Sequence, residues 1–243
     1  MPRLRMFAGP NGSGKSTIKD AIEPNLIGIY VNPDEVEAQV KEKGFLDFSQ
    51  FEIEPAEDEL LRFFEASTLL KKAALLASTT QLRIKDNKLS FSGISMNSYF
   101  ASVVCDFIRS KLIQIEKSFS IETVMSSPDK IELLKNAQKL GYRTYLYYVA
   151  TEDPEINISR VQNRIENGGH AVPEDKIVTR YGRSLALLVD AIQYSNRAYI
   201  FDNSGTSYNR LAEITDGNTM EIFVADFPDW FKYAVWEKLA LGN

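Results

Sequence analysis

A glycine-rich stretch near the start of the chain has the composition of a phosphate-binding loop. It reads GPNGSGKST and consists of Gly9, Pro10, Asn11, Gly12, Ser13, Gly14, Lys15, Ser16 and Thr17. Glycines at the G-x-x-x-x-G-K-[ST] spacing let several backbone N–H groups point at the α- and β-phosphates of a nucleotide. The lysine can reach the β- and γ-phosphates, and the serine hydroxyl can hold Mg²⁺. The stretch therefore predicts a site for a nucleotide with Mg²⁺.

Two acidic residues follow predicted strands at positions where carboxylates could assist phosphoryl transfer. Glu122 ends the segment 118–122 and could orient a metal-bound water, or simply cap a nearby loop. Asp34 lies just past the segment 27–31 and could accept a proton from a hydroxyl that attacks the γ-phosphate. It could equally be a helix-terminal acid that interacts with the helix dipole. The chain has no N-K-x-D element, so the base-reading pattern of GTPases is not indicated.

An arginine-rich segment, about residues 160–183, surrounds the diglycine Gly168-Gly169. Its arginines are Arg160, Arg164, Arg180 and Arg183. Two helices joined by a glycine hinge, with cations to close over a charged transition state, are typical of a mobile lid. Single helix arginines are most often solvated, so the prediction depends on the cluster. His170, the only histidine, could contact phosphate or substrate, or make a hydrogen bond at a helix start.

The elements that must position these residues alternate between strand and helix patterns. Strands are predicted at residues 3–8, 27–31, 118–122, 143–150 and 198–201, with helices between them. This order predicts an α/β fold, a central parallel five-stranded sheet with helices on both faces. We also expect a long helix over 55–78, an inserted β-hairpin at about 81–92, and a C-terminal extension of a hairpin plus a helix from about 205 to 243. A single domain is expected over 1–243.

The composition of the chain excludes some classes of partner. The 243 residues carry a formal net charge of −5, which argues against a nucleic-acid partner. No apolar run approaches the roughly 20 residues of a membrane span, and the first residues lack the apolar stretch of a signal peptide. We therefore expect a cytoplasmic protein with no membrane partner.

An ordered set of motifs resembles the zeta-toxin-like family of small P-loop kinases. The motifs are GPNGSGKST, VNPDE, SFSIETVMS, RVQNRIENGGHAVP, RYGRSL and YIFDNS, and they cover about residues 3–204. The resemblance implies a P-loop kinase fold, ATP and Mg²⁺. The characterised toxins phosphorylate the 3′-hydroxyl of UDP-N-acetylglucosamine, and an antitoxin protein is a possible partner. The GGHAVP segment resembles a broader, mostly chromosomal bacterial branch of the family.

The resemblance also implies roles for individual residues. Lys15 matches the loop lysine, Ser16 the metal-binding hydroxyl, and Asp34 the catalytic base. Glu122 and Thr123 match the acid-led end of the third strand. The arginine that matches the first phosphate-stabilising position is Arg164.

Two family positions differ in this chain. The second phosphate-stabilising position falls on His170 by spacing, whereas Arg180 is the nearest arginine apart from Arg164, and Arg160 also lies in the segment. Asp106 lies where the toxins have a substrate-binding glutamate, or is an exposed helix acid. The sequence thus predicts an ATP-dependent small-molecule kinase with a sugar-containing acceptor. Two alternatives are a toxin with the same chemistry and a non-catalytic ATP-sensing module.

Overall fold

The structure is a computed structural model that describes residues 1–169 and 171–240. Its contacts divide the chain into two compact units. One unit comprises Met1–Gly28 and Ser120–Asn243, and the other is the continuous segment Ile29–Phe119.

The strands follow the predicted order closely. They are β1 (Arg3–Ala8), β2 (Ile29–Val31), β3 (Phe45–Asp47), β4 (Arg83–Lys85), β5 (Lys88–Ser90), β6 (Phe119–Thr123), β7 (Arg143–Ala150), β8 (Arg197–Asp202), β9 (Asn209–Thr215) and β10 (Thr219–Ile222).

The helices lie between these strands and after them. They are α1 (Lys15–Asp20), α2 (Pro24–Ile27), α3 (Pro33–Lys43), α4 (Glu57–Glu65), α5 (Thr68–Lys72), α6 (Ser98–Gln114), α7 (Asp129–Lys139), α8 (Pro154–Glu166), α9 (Glu174–Ala186), α10 (Leu188–Gln193), α11 (Asp229–Phe231) and α12 (Glu237–Ala240). Short 3₁₀ turns cover Phe48–Phe51 and Leu76–Gln81, and Lys232–Trp236 forms a π-helical turn. No helix among residues 1–169 and 171–240 combines the length and the hydropathy needed to cross a bilayer.

The predicted α/β architecture is confirmed, with a correction to the sheet. The central sheet of the described residues has seven strands rather than five. Within the first unit the order is β10-β9-β8-β7-β1-β6, and β2 is the seventh strand. β1, β7 and β8 are parallel, whereas β9 and β10 are antiparallel to their neighbours. The hairpin predicted in the C-terminal extension forms β9 and β10, and β9, with the side chains of Ala212 and Ile214 buried, pairs with β8 and so extends the sheet.

The second unit contains the predicted hairpin. β4 and β5 pair across a two-residue turn at Asp86 and Asn87, whose φ angles of 50° and 59° suit a tight hairpin. β3, which the sequence did not predict, pairs antiparallel with β5 on its other side.

The prediction of one long helix over residues 55–78 is wrong. The segment divides into α4, α5 and a 3₁₀ turn. The Ser67 hydroxyl accepts a hydrogen bond from the Leu70 backbone N–H at 3.2 Å, which starts a new helix there. Ala74 then adopts a left-handed φ of 57°, which ends that helix. Local capping therefore interrupts a continuous apolar periodicity.

The C-terminal helices are attached to the end of β8 and to the loop after β7. Trp230 is buried, and its indole N–H donates to Asp202 Oδ1 at 2.8 Å. One residue earlier, the Asp229 backbone N–H donates to Glu152 Oε1 at 3.0 Å. Asp229 and Trp230 thus attach the start of the C-terminal helices to the loop after β7 and to the end of β8.

Candidate functional site

The glycine-rich loop connects β1 to α1 in a conformation that requires glycine. Gly9, Gly12 and Gly14 have φ angles of 142°, 75° and 96°, which L side chains rarely adopt. A Cβ atom at Gly9 would lie 2.0 Å from the Val149 carbonyl oxygen. The loop therefore packs directly against the sheet at Gly9.

The loop lysine lies beneath the loop and beside a carboxylate. Lys15 Nζ donates to the carbonyl oxygens of Gly9 at 3.1 Å and Pro10 at 3.0 Å. Glu122 Oε1 lies 4.0 Å from the same nitrogen, and both side chains are largely buried. The structure thus brings together two residues that the sequence assigned to one site.

Two buried side-chain atoms of the loop have no hydrogen-bond partner among the described residues. They are Ser13 Oγ and Asn11 Oδ1. Buried polar atoms almost always have hydrogen-bond partners in folded proteins. Two such atoms without partners in the same loop therefore indicate a binding site for a ligand. The Ser13 hydroxyl can donate to a phosphate oxygen. These atoms fit the nucleotide that the loop sequence predicts.

Asn157 holds the loop from the side of α8, and sequence analysis missed it. Its side chain is fully buried, and its Nδ2 donates to the Asn11 carbonyl oxygen at 2.5 Å. The Thr151 hydroxyl donates to Asn157 Oδ1. The available signal was a polar residue on the apolar face of α8, beside Ile158 and Val161.

Asn203, just after β8, holds the other end of the loop. Its Nδ2 donates to the Ser13 carbonyl oxygen at 2.8 Å. Arg160 in turn donates to the carbonyl oxygens of Asn203 at 2.7 Å and Gly205 at 3.1 Å. Arg160 was grouped with the predicted lid arginines, but it binds the backbone that follows β8. The signal for Asn203 was its place in YIFDNS.

Exchanging glycines tests how tightly the loop is packed. A Cβ at Gly14 would lie 2.1 Å from Asn203 Nδ2, so we expect Gly14→Ala to lower the free energy of unfolding by about 1–3 kcal/mol. Gly182, inside α9, has open space at that position, and Gly182→Ala should raise stability by about 0.5–1 kcal/mol. Thermal unfolding of both variants measures the contrast. Equal shifts of Tm would contradict the packing described here.

The two helices of the predicted lid, α8 and α9, pack on each other through an apolar cluster. Ile158 and Val161 of α8 contact Ile177 of α9, with Val172 beside them. Arg164 is exposed near the end of α8, whereas the Arg180 side chain is half-buried on α9. His170 lies outside the described residues.

A tyrosine attaches α9 to the loop after β7. The Tyr181 hydroxyl donates to the Thr151 carbonyl oxygen at 2.6 Å. Burial raises the pKa of this phenol, so it keeps its proton and remains a donor across the physiological range. Helix α9 therefore contacts Thr151, the same residue whose hydroxyl orients Asn157.

The remaining predicted residues lie at the edges of helices and strands. Ser16 and Thr17 are exposed in the first turn of α1. The Thr123 hydroxyl, at the end of β6, accepts from the Met125 backbone N–H at 3.0 Å. In the second unit, the exposed Asp34 lies in the first turn of α3, and Asp106 pairs with Arg109 on α6.

A cleft of about 470 Å³ lies beside the glycine-rich loop in the first unit. It is lined by Gly12, Gly14, Thr17, Arg160, Asn203, Gly205, Thr206, Ser207 and Tyr208. The loop forms one wall, and the segment that Arg160 holds forms the other.

Together, the sheet and the loop define a P-loop α/β protein of kinase-like architecture. A crystal structure of AvrRxo1-ORF1 with AvrRxo1-ORF2 and ATP shares this fold, with a TM-score of 0.57 and 14% identity. The match covers 98% of this chain but only 63% of that one, so this chain spans less than two thirds of its length. A chain of the PezAT chromosomal toxin-antitoxin system of Streptococcus pneumoniae gives a TM-score of 0.50 at 16% identity, covering 100% and 87%.

Sequence comparison confirms the predicted family resemblance. The Zeta toxin family model matches residues 94–210, and this part of the chain is similar to that family. An uncharacterized protein of Haemophilus influenzae is 33% identical over 63 residues, which are 26% of this chain and 45% of that protein.

Proposed function

We propose that this chain is an ATP-dependent kinase that transfers the γ-phosphoryl group to a hydroxyl of a small, sugar-containing acceptor. The observation that carries the proposal is the loop itself. Its glycines are fixed by packing, Lys15 lies 4.0 Å from Glu122, and the buried Ser13 hydroxyl has no partner among the described residues. The fold shared with an ATP-bound AvrRxo1 structure supports ATP as the nucleotide.

The proposed roles follow the chemistry of each side chain. Ser16 and Glu122 would supply the oxygen ligands that Mg²⁺ prefers, and the metal would neutralise charge on the phosphates. Lys15, Arg164 and Arg180 stabilise the transferring group, with His170 as the alternative to Arg180. Asp34 takes the proton of the attacking hydroxyl, a role that the zeta-toxin resemblance implies.

The acceptor is proposed from the family resemblance. UDP-N-acetylglucosamine is the first candidate, with Asp106 and Thr123 as the residues proposed to contact it. Asp106 is shorter by one methylene than the glutamate of the toxins, and its ion pair with Arg109 engages the carboxylate. Sugars that are smaller than UDP-N-acetylglucosamine, or that would bind in a different position, are therefore included among the acceptors to be tested.

The deciding experiment offers Mg-ATP and a panel of acceptors to the protein. The panel contains nucleotide sugars, free sugars, nucleosides and amino alcohols, and mass spectrometry detects a phosphorylated product. A product seen with the wild type and absent with Asp34→Asn would establish the reaction and the acceptor. ATP binding without any product would contradict the kinase proposal and favour an ATP-sensing module.

A toxin held inactive by an antitoxin protein is the second candidate. The PezAT system supports it, because PezAT is a toxin-antitoxin system and this chain shares the fold of one of its chains. Expression in a bacterial host tests this reading. We expect wild-type expression to slow growth and Lys15→Ala to relieve the effect. Equal growth of the two strains would contradict the toxin reading and leave the kinase chemistry standing.

A further inference from the structure

Two asparagines that hold the glycine-rich loop are themselves held by two segments of the first unit. Asn203, directly after β8, donates to the Ser13 carbonyl oxygen at 2.8 Å. Asn157 donates to the Asn11 carbonyl oxygen at 2.5 Å, and the Thr151 hydroxyl, in the loop after β7, donates to Asn157 Oδ1. The position of the glycine-rich loop therefore depends on how firmly the segments after β7 and β8 are held.

Asp202 holds the segment after β8. Its carboxylate is 8% exposed. It accepts hydrogen bonds from the Ser204 backbone N–H at 3.0 Å, the Ser204 hydroxyl at 2.8 Å and the Trp230 indole N–H at 2.8 Å. A buried carboxylate needs such donors, because it has lost its water shell. Since Asn203 lies between Asp202 and Ser204, these bonds fix the backbone from which the Asn203 side chain reaches the loop.

Glu152 joins the two segments and extends the connection to the C-terminal helices. Its backbone N–H donates to the Ser204 hydroxyl at 2.7 Å, and its Oε1 accepts the Asp229 backbone N–H at 3.0 Å. Because Asp229 and Trp230 are consecutive, these bonds close a ring. The C-terminal ring consists of Glu152, Asp202, Ser204, Asp229 and Trp230. It attaches the start of α11 to both segments that hold the glycine-rich loop.

The packing of Trp230 directs its N–H into the C-terminal ring. The indole is 5% exposed and contacts Tyr148 and Phe231, at ring-centroid distances of 6.2 and 5.9 Å. Buried indoles usually find a partner for the N–H, and here that partner is the carboxylate at the end of β8. Trp230 lies beyond residue 210, where the match to the Zeta toxin family ends, and beyond the sequence motifs. Neither therefore assigns it a role.

We propose that Trp230 is a positioning residue for the glycine-rich loop. Its N–H holds Asp202, the Asp202 carboxylate fixes the backbone around Asn203, and Asn203 holds the loop at Ser13. The C-terminal helices thus help to set the conformation in which the loop receives phosphate. This inference rests on the proposed nucleotide binding of the loop, and it gives the C-terminal extension a part in that binding.

Trp230→Phe is the deciding variant, because it keeps a buried aromatic ring and removes the N–H donor. Titration calorimetry measures the affinity of the full chain for Mg-ATP and for inorganic tripolyphosphate with Mg²⁺. Both affinities should fall by about three- to tenfold and by the same factor, because the phosphate-binding loop is less well preorganised. Asp202→Asn should give a similar loss, and the double variant should lose little more than the larger single loss.

Trp236→Phe is the matched control. Trp236 is 41% exposed, and its ring contact is with Phe227 rather than with a member of the C-terminal ring. The same exchange of tryptophan for phenylalanine should there leave both affinities at those of the wild type.

Tryptophan fluorescence provides a readout that a purely structural role would not change. The chain has two tryptophans, so Trp236→Phe leaves Trp230 as the only one. Saturating tripolyphosphate with Mg²⁺ should change the emission of Trp230, although Trp230 does not line the cleft beside the loop. Tripolyphosphate has no base that could stack on an indole. In Trp230→Phe, the emission of the remaining Trp236 should not respond.

Three outcomes would overturn the proposal. If folded Trp230→Phe bound both ligands as the wild type does, Trp230 would be a core residue only, and the loop assignment would stand. If Trp230 emission in Trp236→Phe did not respond to saturating tripolyphosphate, the indole would not be coupled to the loop. This measurement decides the matter even where Trp230→Phe does not fold. A wild-type protein that binds neither ligand would overturn the proposed function itself, and the inference with it.

Discussion

Lys15→Ala is expected to reduce phosphoryl transfer by about 10²–10³-fold or more and to weaken ATP binding. Lys15 Nζ lies within hydrogen-bond distance of two loop carbonyls, so the ammonium is held beneath the backbone that would receive the phosphates. Removing it takes away the positive charge that offsets the negative charge of the β- and γ-phosphates. It also removes the ammonium that lies 4.0 Å from the Glu122 carboxylate. ATP affinity and single-turnover transfer measure the two losses separately.

Lys19→Ala is the matched control for this prediction. Lys19 lies one turn further along α1 and pairs with the exposed Asp20 at 3.4 Å. It carries the same charge as Lys15 but is not among the residues of the loop motif. We expect its replacement to leave both affinity and transfer near those of the wild type. Equal effects of the two substitutions, or unchanged ATP affinity in Lys15→Ala, would refute the loop assignment.

Asp34→Asn is expected to slow transfer by about 10²–10⁴-fold and to leave ATP binding nearly intact. The amide keeps the size of the side chain but cannot accept the proton of an attacking hydroxyl. The fold should be preserved, because it is the Asn32 side chain that caps α3, accepting the Asp34 backbone N–H at 3.0 Å. The measurement pairs the rate of product formation with ATP affinity for the same preparation.

The neighbouring acid provides the control for Asp34. Glu35 is exposed in the same first turn of α3, so Glu35→Gln removes one negative charge with little change of position. Transfer by Glu35→Gln should stay close to that of the wild type. If Asp34→Asn worked at full speed, the carboxylate would be an ordinary helix-terminal acid. If it lost ATP affinity as well as rate, its role would be in binding rather than in proton transfer.

The parts of the molecule that sequence predicts best are those determined by near neighbours. Lys15 bonds to carbonyls five and six residues away, so a motif of nine letters contains most of that geometry. The strands β1, β7 and β8 are short apolar runs with clear ends. The cap of α3 by Asn32 and its end at Gly44 likewise depend on residues within the helix and next to it.

The parts that sequence missed depend on distant contacts. Asn157 lies 146 residues from the loop carbonyl that it holds, and Asn203 lies 190 residues from its partner. Nothing in a single sequence connects such positions. The assignment of Arg160 to a lid had the same cause, because its helix neighbours suggested a cluster and its real contacts come after β8. The extra sheet strands were missed because an exposed edge hairpin resembles a separate hairpin in sequence.

The division of the chain into two units bears on how such a protein can diverge. Val149, Asn157 and Asn203, which contact the loop, and Arg160, which holds Asn203, all belong to the unit that contains the loop. Asp34 and Asp106 lie in the other unit, the continuous segment Ile29–Phe119. Substitutions in that segment change none of the residues that make these hydrogen bonds. Under the proposed kinase function, such substitutions would alter which hydroxyl is recognised, whereas the residues that hold the loop would be inherited without change.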